Sequence, residues 1–432
     1  MIRLQLNSRS LPFLVLAAAF FQLMDPNRVW LTLLVALIGV LLLAYLWARA
    51  LARGLRLSRE RRYGWVQVGD QLEERFTLEN RAWIPAAWVE VRDESTAPGY
   101  SASRVTGVEG NGRNTWRTEG VCSQRGLFTL GPTSLHTGDP LGIFSVHIQY
   151  RFSTQLMVMP PVIPLPEIRV APGGRSGEGR PVPVREERTV SASGVRPHVP
   201  GEGLRLIHWP TTARRNDFYV RVLEGSPAGN WWILLDLHRK TQVGSGPDST
   251  SEHGVILAAS LADRGLREGR PVGLLINGEK PVLLPPQAGE YQRLKILREL
   301  ALAAQGDSSL SALLSSSRQS LGQAASLVLV TADCSGNWLE NLIPLLWSGL
   351  APTILLLDPY TFDPARARAE EAEALLSSLA ELGLACYRIS KTLLDQPEAR
   401  PGQAGHWEFR FTPTGRAVPV RRPADTGWKT LG

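Results

Sequence analysis

From Val29 to Ala48 the chain runs VWLTLLVALIGVLLLAYLWA without one charged residue. About 20 apolar residues in a helix rise about 30 Å, the thickness of a bilayer's hydrocarbon core. Everything after such a run has to be folded beside a membrane. A second apolar run, LPFLVLAAAFFQLM at 11–24, is short for a full span. Only Asp25, Pro26, Asn27 and Arg28 separate the two, and proline cannot continue a helix. The expectation is a transmembrane helical hairpin with a basic juxtamembrane segment over residues 1–62. A cleaved signal peptide is the rival for the first run, whose length suits an apolar signal core. No small-residue cleavage site precedes the second run.

Arg3 and Arg9 precede the first run, and Arg49, Arg53, Arg56, Arg59, Arg61 and Arg62 follow the second. The connecting turn has only Arg28, beside Asp25. Positive residues stay cytoplasmic, so a multi-pass anchor with cytoplasmic soluble domains is expected. The same arginines suit membrane lipid with anionic headgroups. Much of the formal net charge of +7 sits there. Aromatics are not interleaved with the basic residues as a nucleic-acid surface requires, so no nucleic-acid partner is expected. Cys122, Cys334 and Cys386 are far apart and odd in number, which fits reduced thiols better than a disulfide framework or a metal set.

A chain of 432 residues exceeds one ordinary core. Over residues 63–160, QLEERFTLEN and AAWVEVRDE alternate apolar with polar, and GNG and TGDPLG mark turns. This pattern predicts an antiparallel β-sandwich of immunoglobulin type. Residues 161–228 form a linker, rich in proline and glycine up to about 184, followed by GEGLRLIHWPTTARRNDFYVR. Over 229–395, continuous apolar runs such as WWILLDL, PVGLLING, ASLVLVTADC and PTILLLDP alternate with helical periods. That rhythm predicts an α/β domain with a mainly parallel sheet covered on both faces. Asp236, Asp333 and Asp358 fall at or just after strand ends, the edge where such sheets bind ligands. The tail, 396–432, contains HWEFRFTPTG, a strand pattern with no evident place.

The segment at 201–221 is the oddest in composition. Glu202 follows a glycine, His208 adjoins Trp209, and Arg205, Arg214 and Arg215 surround them. Leu204, Ile207 and Trp209 are expected to pack inward while the arginines offer forked donors to carboxylates. That makes Glu202, Arg205, His208, Trp209, Arg214 and Arg215 candidates for an interdomain clamp or a partner or anion contact. Catalysis centred on His208 is a weaker alternative because no nucleophile is evident. The motifs of serine hydrolases, phosphate-loop NTPases and zinc proteases do not occur.

Several stretches together carry a resemblance. They are TLEN at 77–80 with RAWIPAAWVEVRDE, RGLFTLGP with TGDPLGIF, GEGLRLIHWPTTARR and WWILLDL. The chain resembles the bacterial domain-of-unknown-function family 58, from the hairpin to about residue 390. The resemblance implies a membrane-anchored protein with a von Willebrand factor A-like domain. It also implies association with MoxR-type AAA+ ATPases and a role in assembly or maturation of envelope or secreted complexes. Two departures stand out. The family's Gly-Asp-Asp is Gly201, Glu202, Gly203 here, and its lysine is Pro210. The metal-holding D-x-S-x-S is Asp236, Leu237, His238, Arg239, Lys240, with both hydroxyls gone. A hard cation needs several oxygen ligands. Asp236 and Asp333 therefore read as a degenerate pocket, with no metal and no cofactor expected. Asp236 should instead pair with a cation or accept backbone N–H groups. The reading is a non-enzymatic scaffold or adaptor. A metal-dependent module using Asp236 and Asp333 is the alternative.

Overall fold

The computed structural model describes residues 2–62, 64–165, 168–171, 192–197, 207–215, 217–223, 230–321, 325–392, 408–411, 417–421 and 429–431. The chain divides into two compact units, Met1–Pro161 with Arg400–Gly432, and Val162–Ala399.

The first unit begins with β1 (Ile2–Leu6), then helices α1 (Ser10–Met24) and α2 (Arg28–Gly54). Asn27 caps α2 by accepting the Val29 N–H at 3.2 Å, so the turn that proline forces is also the start signal of the second helix. Of the two, α2 is long and apolar enough to cross a membrane, and α1 is shorter. The end of α2 turns inward. Ala44, Ala48, Leu51 and Ala52 are buried at helical spacing, and small side chains there let the sheets approach closely. The expected boundary at residue 62 is therefore not a packing boundary.

Strands follow: β2 (Leu55–Arg61), β3 (Trp65–Gln67), β4 (Gln71–Asn80), β5 (Ala86–Asp93), β6 (Arg104–Val108), β7 (Arg113–Val121), β8 (Gly126–Leu130), β9 (Thr133–Gly138), β10 (Phe144–Gln149) and β11 (Thr154–Met159). One antiparallel sheet has the order β1-β10-β9-β5-β6, and a smaller one the order β3-β11-β8. In the latter β3 runs parallel to β11, a pairing the alternation pattern could not announce. Phe76, Leu78, Val89, Val91, Leu135, Val146 and Leu156 share one buried cluster with the end of α2.

The second unit opens with a segment that reads as exposed linker in sequence but is tied down where it is described. Arg264 donates to the carbonyls of Leu165 and Ile168 at 2.9 and 2.8 Å, and Ala171 N–H reaches Thr353 Oγ1 at 2.8 Å. Next come β12 (Ala192–Pro197), the short helix α3 (Trp209–Arg215) and β13 (Tyr219–Leu223), with β12 and β13 paired antiparallel. Then β14 (Trp231–Leu235), α4 (Thr250–Arg267), β15 (Val272–Ile276), β16 (Val282–Gln287), α5 (Glu290–Leu302), α6 (Leu310–Ser317) and β17 (Ser326–Thr331) follow. The order continues with α7 (Leu339–Trp347), β18 (Ala351–Leu357), α8 (Pro359–Phe362), α9 (Ala369–Glu381) and β19 (Ala385–Ile389).

Six strands make a mixed sheet, β16-β15-β14-β17-β18-β19. Five are parallel, and β16 is antiparallel at one edge, where Pro285 and Pro286 cost no interior ladder bond. All residues of β14, β15, β17 and β18 are buried, as expected of parallel strands with helices on both faces. Trp232, Leu234, Leu327 and Leu329 pack with Leu310, Leu314, Trp338, Leu342 and Leu375 from α6, α7, α9 and the loop before α7. On the other face Gly265 of α4 lies so close to Trp231 that an added Cβ would stand 2.7 Å from the indole.

The tail contributes β20 (Glu408–Phe411), β21 (Ala417–Arg421) and β22 (Lys429–Leu431). The strand expected in HWEFRFTPTG is β20, paired with β21, and β22 completes a sheet of order β22-β2-β4-β7.

Candidate functional site

The carboxyl ends of the parallel strands gather the polar residues of the second unit. Asp236 follows β14, Asn277 follows β15, Thr331 ends β17, and Asp358 follows β18. All four are buried, Asp236 being 1% exposed. Asp236 Oδ1 accepts Asn277 Nδ2 at 2.6 Å and the His238 N–H at 3.1 Å, while Oδ2 accepts the Thr331 hydroxyl at 2.7 Å. Asn277 closes the ring by accepting the Leu237 N–H at 2.6 Å. Gln242 Nε2 holds the Asp236 carbonyl at 3.1 Å, and Thr250 donates to Gln242 Oε1 at 2.7 Å. Each donor on the carboxylate is neutral. Burial accordingly pushes the Asp236 carboxyl above the usual range, and nearby Asp333 adds to it, against the lowering effect of those hydrogen bonds.

The backbone N–H partner fits what the sequence implies for Asp236; among the described residues no cation pairs with it. Arg239 turns instead to Asp307, 3.4 Å away at the surface. Asp333 is half-buried and accepts the Ser335 N–H at 2.9 Å, and its own N–H meets Thr331 Oγ1 at 2.9 Å. Asp358 caps α8 through Tyr360 N–H at 3.1 Å and takes both Arg388 Nε and Nη2 on Oδ2, at 2.8 and 2.6 Å. Cys334 is a poor nucleophile here, since burial and the carboxylates around it push its thiol up to about 12.

The residues present do not fit a divalent cation. The Thr331 hydroxyl and the Asn277 amide both spend a hydrogen on Asp236, and a cation would have to displace them. Among the described residues no three His, Cys, Asp or Glu side chains converge as a metal set. Sequence reasoning missed Asn277, Thr331, Gln242 and Thr250. The signal was available for Asn277, which follows the apolar run of β15 as Asp236 follows that of β14.

Glu202 and Arg205 lie outside the described residues. His208 closes a local turn, with Nδ1 2.7 Å from Thr211 Oγ1, its carbonyl accepting Thr211 and Thr212 N–H, and its N–H on the Tyr219 carbonyl at 2.7 Å. Trp209 does not pack inward: it is 61% exposed, and Ile207 takes the buried position. Helix α3 begins at Trp209, so the two side chains do not share a face. Arg214 is exposed, and Arg215 lies 5.5 Å over the Tyr219 ring and donates to its hydroxyl at 3.3 Å, not to a carboxylate.

With this geometry in view, comparison with known proteins adds one firm point. Residues 194–345 match the family model described as Protein of unknown function DUF58. The matched stretch covers both α3 and the Asp236–Asn277–Thr331 ring. The chain is also similar to the uncharacterized protein YeaD of Bacillus subtilis (strain 168), 25% identical over 261 residues. That alignment covers 58% of this chain and 63% of the relative, so the chain spans less than two thirds of its length. A solved structure, an aerotolerance-related membrane protein from Bacteroides fragilis NCTC 9343, is 22% identical with a TM-score of 0.27, over 38% of this chain and 92% of that one. The CARDB domain of the PF1109 protein from Pyrococcus furiosus is 11% identical with a TM-score of 0.18, over 24% and 94%. Superpositions of that size do not define a fold.

Proposed function

We propose that this chain is a non-enzymatic scaffold or adaptor, anchored by a helical hairpin with both ends cytoplasmic. In this reading the first unit is an immunoglobulin-like sandwich. The second is a von Willebrand A-like unit that recognises a protein partner without a metal ion, a MoxR-type AAA+ ATPase being the candidate. The observation that carries the reading is the Asp236 ring: Asn277, Thr331 and the His238 N–H occupy the carboxylate that a metal-dependent relative would offer to a cation. Such a ring stiffens the strand ends and leaves recognition to the surface around them. The apolar helix α2, long enough to cross a membrane, supports the membrane-linked part of the reading.

Calorimetric titration of the full chain in detergent with Mg²⁺ or Mn²⁺ should give no saturable heat. Saturable binding that vanishes in Asp236→Ala would replace this reading with the metal-dependent one. For the partner, a photo-crosslinking residue at the exposed Ser335, beside the strand ends, should capture an AAA+ ATPase in native membranes. Labelling of nothing but lipid and solvent there would sink the adaptor role.

A further inference from the structure

The TGDPLGIF motif at 137–144 is a rigid turn, and the fold puts it where the chain enters the hairpin. Buried Asp139 holds it from inside, accepting the Leu141 N–H on Oδ2 at 2.9 Å and the Phe144 N–H on Oδ1 at 2.5 Å. Gly142 supplies a φ of +70°, and a Cβ on Gly138 would stand 2.7 Å from the Phe144 carbonyl oxygen, so both glycines are required. The product of this construction is an exposed leucine: Leu141 is 66% exposed at the tip. Exposing a single leucine is ordinary. Building a capped turn to do it, at this place, calls for an explanation.

The place is set by backbone bonds. Asn7 and Ser8, two of the three residues between β1 and α1, both donate to the Ile143 carbonyl, at 2.8 and 3.3 Å. On the other helix Tyr45 meets the Phe144 ring at 5.7 Å. The turn therefore lies level with the start of α1 and with Tyr45 of α2. Arg49, one turn further on, donates to the Tyr45 hydroxyl at 2.8 Å. A tyrosine bonded to an arginine at the end of an apolar helix is the composition of a membrane interface.

Length decides the level of the lipid. From Arg28 to Tyr45 the helix rises about 26 Å at 1.5 Å per residue, against a hydrocarbon core of about 30 Å. A tilt only shortens the projection. With Arg28 at the far interface, the edge of the hydrocarbon falls close to Tyr45, beside the turn. We propose that residues 139–143 are a third membrane contact, lying in the cytoplasmic headgroup layer with Leu141 inserted into the bilayer that holds the hairpin. The proposal rests on the anchored reading above. It deepens it: the first unit is clamped to the lipid by a preformed turn as well as by its helices, and Arg9 and Arg49 flank the contact for anionic headgroups.

Site-directed spin labelling tests this on the full chain in vesicles of phosphatidylethanolamine and phosphatidylglycerol, with Cys122, Cys334 and Cys386 replaced by alanine. Single labels at Val35→Cys on α2, Leu141→Cys, and Val105→Cys on β6 at the far edge of the same sheet are compared for collision with oxygen and with a water-soluble nickel chelate. The label at 35 should favour oxygen, the label at 105 should favour nickel, and the label at 141 should show an oxygen-to-nickel ratio several-fold above that at 105. Lipid at 35 with water at 141 overturns this proposal and leaves the anchor standing. Water at 35 overturns both. Suppressed collision with both reagents at 141 means protein covers the leucine, which also overturns it.

Discussion

Glu74 of the first unit and Asp236 of the second are buried carboxylates held in opposite ways. In the first, Arg59 is 9% exposed and forks onto Glu74, with Nε–Oε1 at 2.9 Å and Nη2–Oε2 at 2.6 Å, while Nη1 reaches Asp93 at 2.9 Å. Tyr100 donates its hydroxyl to the same Glu74. Burial works against the guanidinium's charge, but the hydrogen bonds and attraction of Glu74, then of Asp93, outweigh it and keep it charged. In the second unit Asp236 is as deeply buried and has only neutral donors. The difference follows from architecture. Arg59 is on β2 of one sheet and Asp93 at the end of β5 in another, so a long forked side chain ties separate antiparallel sheets together. In the mixed sheet, the neighbouring strands β15 and β17 deliver Asn277 and Thr331 to Asp236 directly, whereas Asp358, after β18, takes Arg388 from the edge strand β19.

The sharpest way to break this contrast is Arg59→Met. Removing one partner strands two buried carboxylates, and such losses cost about 3–5 kcal/mol. Hydrogen-exchange protection should collapse across β2, β4 and β5, while peptides from β14 and β17 keep theirs. Equal loss in both units would mean that they do not stabilise separately.

The cation-free carboxyls should behave in reverse. Asp70, 4% exposed in the turn between β3 and β4, accepts the Gln67 N–H at 2.8 Å. Burial raises it to about 6, against the lowering effect of that hydrogen bond. A raised carboxyl binds its proton more tightly folded than unfolded. Its contribution is complete below about pH 4 and drains away as pH rises to about 6. Asp70→Asn keeps the acceptor and should flatten this slope, gaining about 2–3 kcal/mol at pH 7. Asp236→Asn should shift the second unit the same way. A loss on the scale of Arg59→Met in either variant would show that the carboxylate charge is itself stabilising.

Much of this was legible in the residues, and the gaps have physical causes. Continuous apolar runs announced the buried strands β14, β15, β17 and β18, because helices on both faces leave no room for alternation. The alanine face of α2 was hidden inside a run that hydropathy alone assigns to lipid, since small apolar residues serve either solvent. Arg59 read as one more juxtamembrane charge, because nothing local distinguishes an arginine facing headgroups from one facing Glu74. Trp209 was expected to pack inward with Ile207, but α3 begins at it and turns it to the surface. Asp236 and its position at a strand end were visible, but the identity of its donors depended on register between strands far apart in sequence.

The smallest effect concerns the edge strand that leads into the hairpin. His147 on β10 stacks on His136 of β9, with ring centroids 4.1 Å apart and planes 9° from parallel. Trp88 meets His136 edge-on at 5.2 Å, Glu90 Oε2 lies 3.2 Å from His136 Nδ1, and Arg92 forks onto Glu90 at 2.8 and 2.9 Å. From β1, Arg3 stands opposite His147 in the ladder. Burial lowers the His147 pKa first, then His136, Arg92 and Arg3, with Glu90 opposing. A lowered imidazole favours the neutral form in the fold, so its contribution is complete above about pH 6.5 and is lost as pH falls below that. The partner placed to give way is β1, held on one side only and joined directly to α1. Exchange at residues 2–6, corrected for intrinsic rate, should speed up between pH 7 and pH 5.5, and His147→Gln should abolish the change. Acceleration that survives in His147→Gln would show that the His147 imidazole is not the switch, and no acceleration at all would leave β1 pinned by its backbone bonds alone.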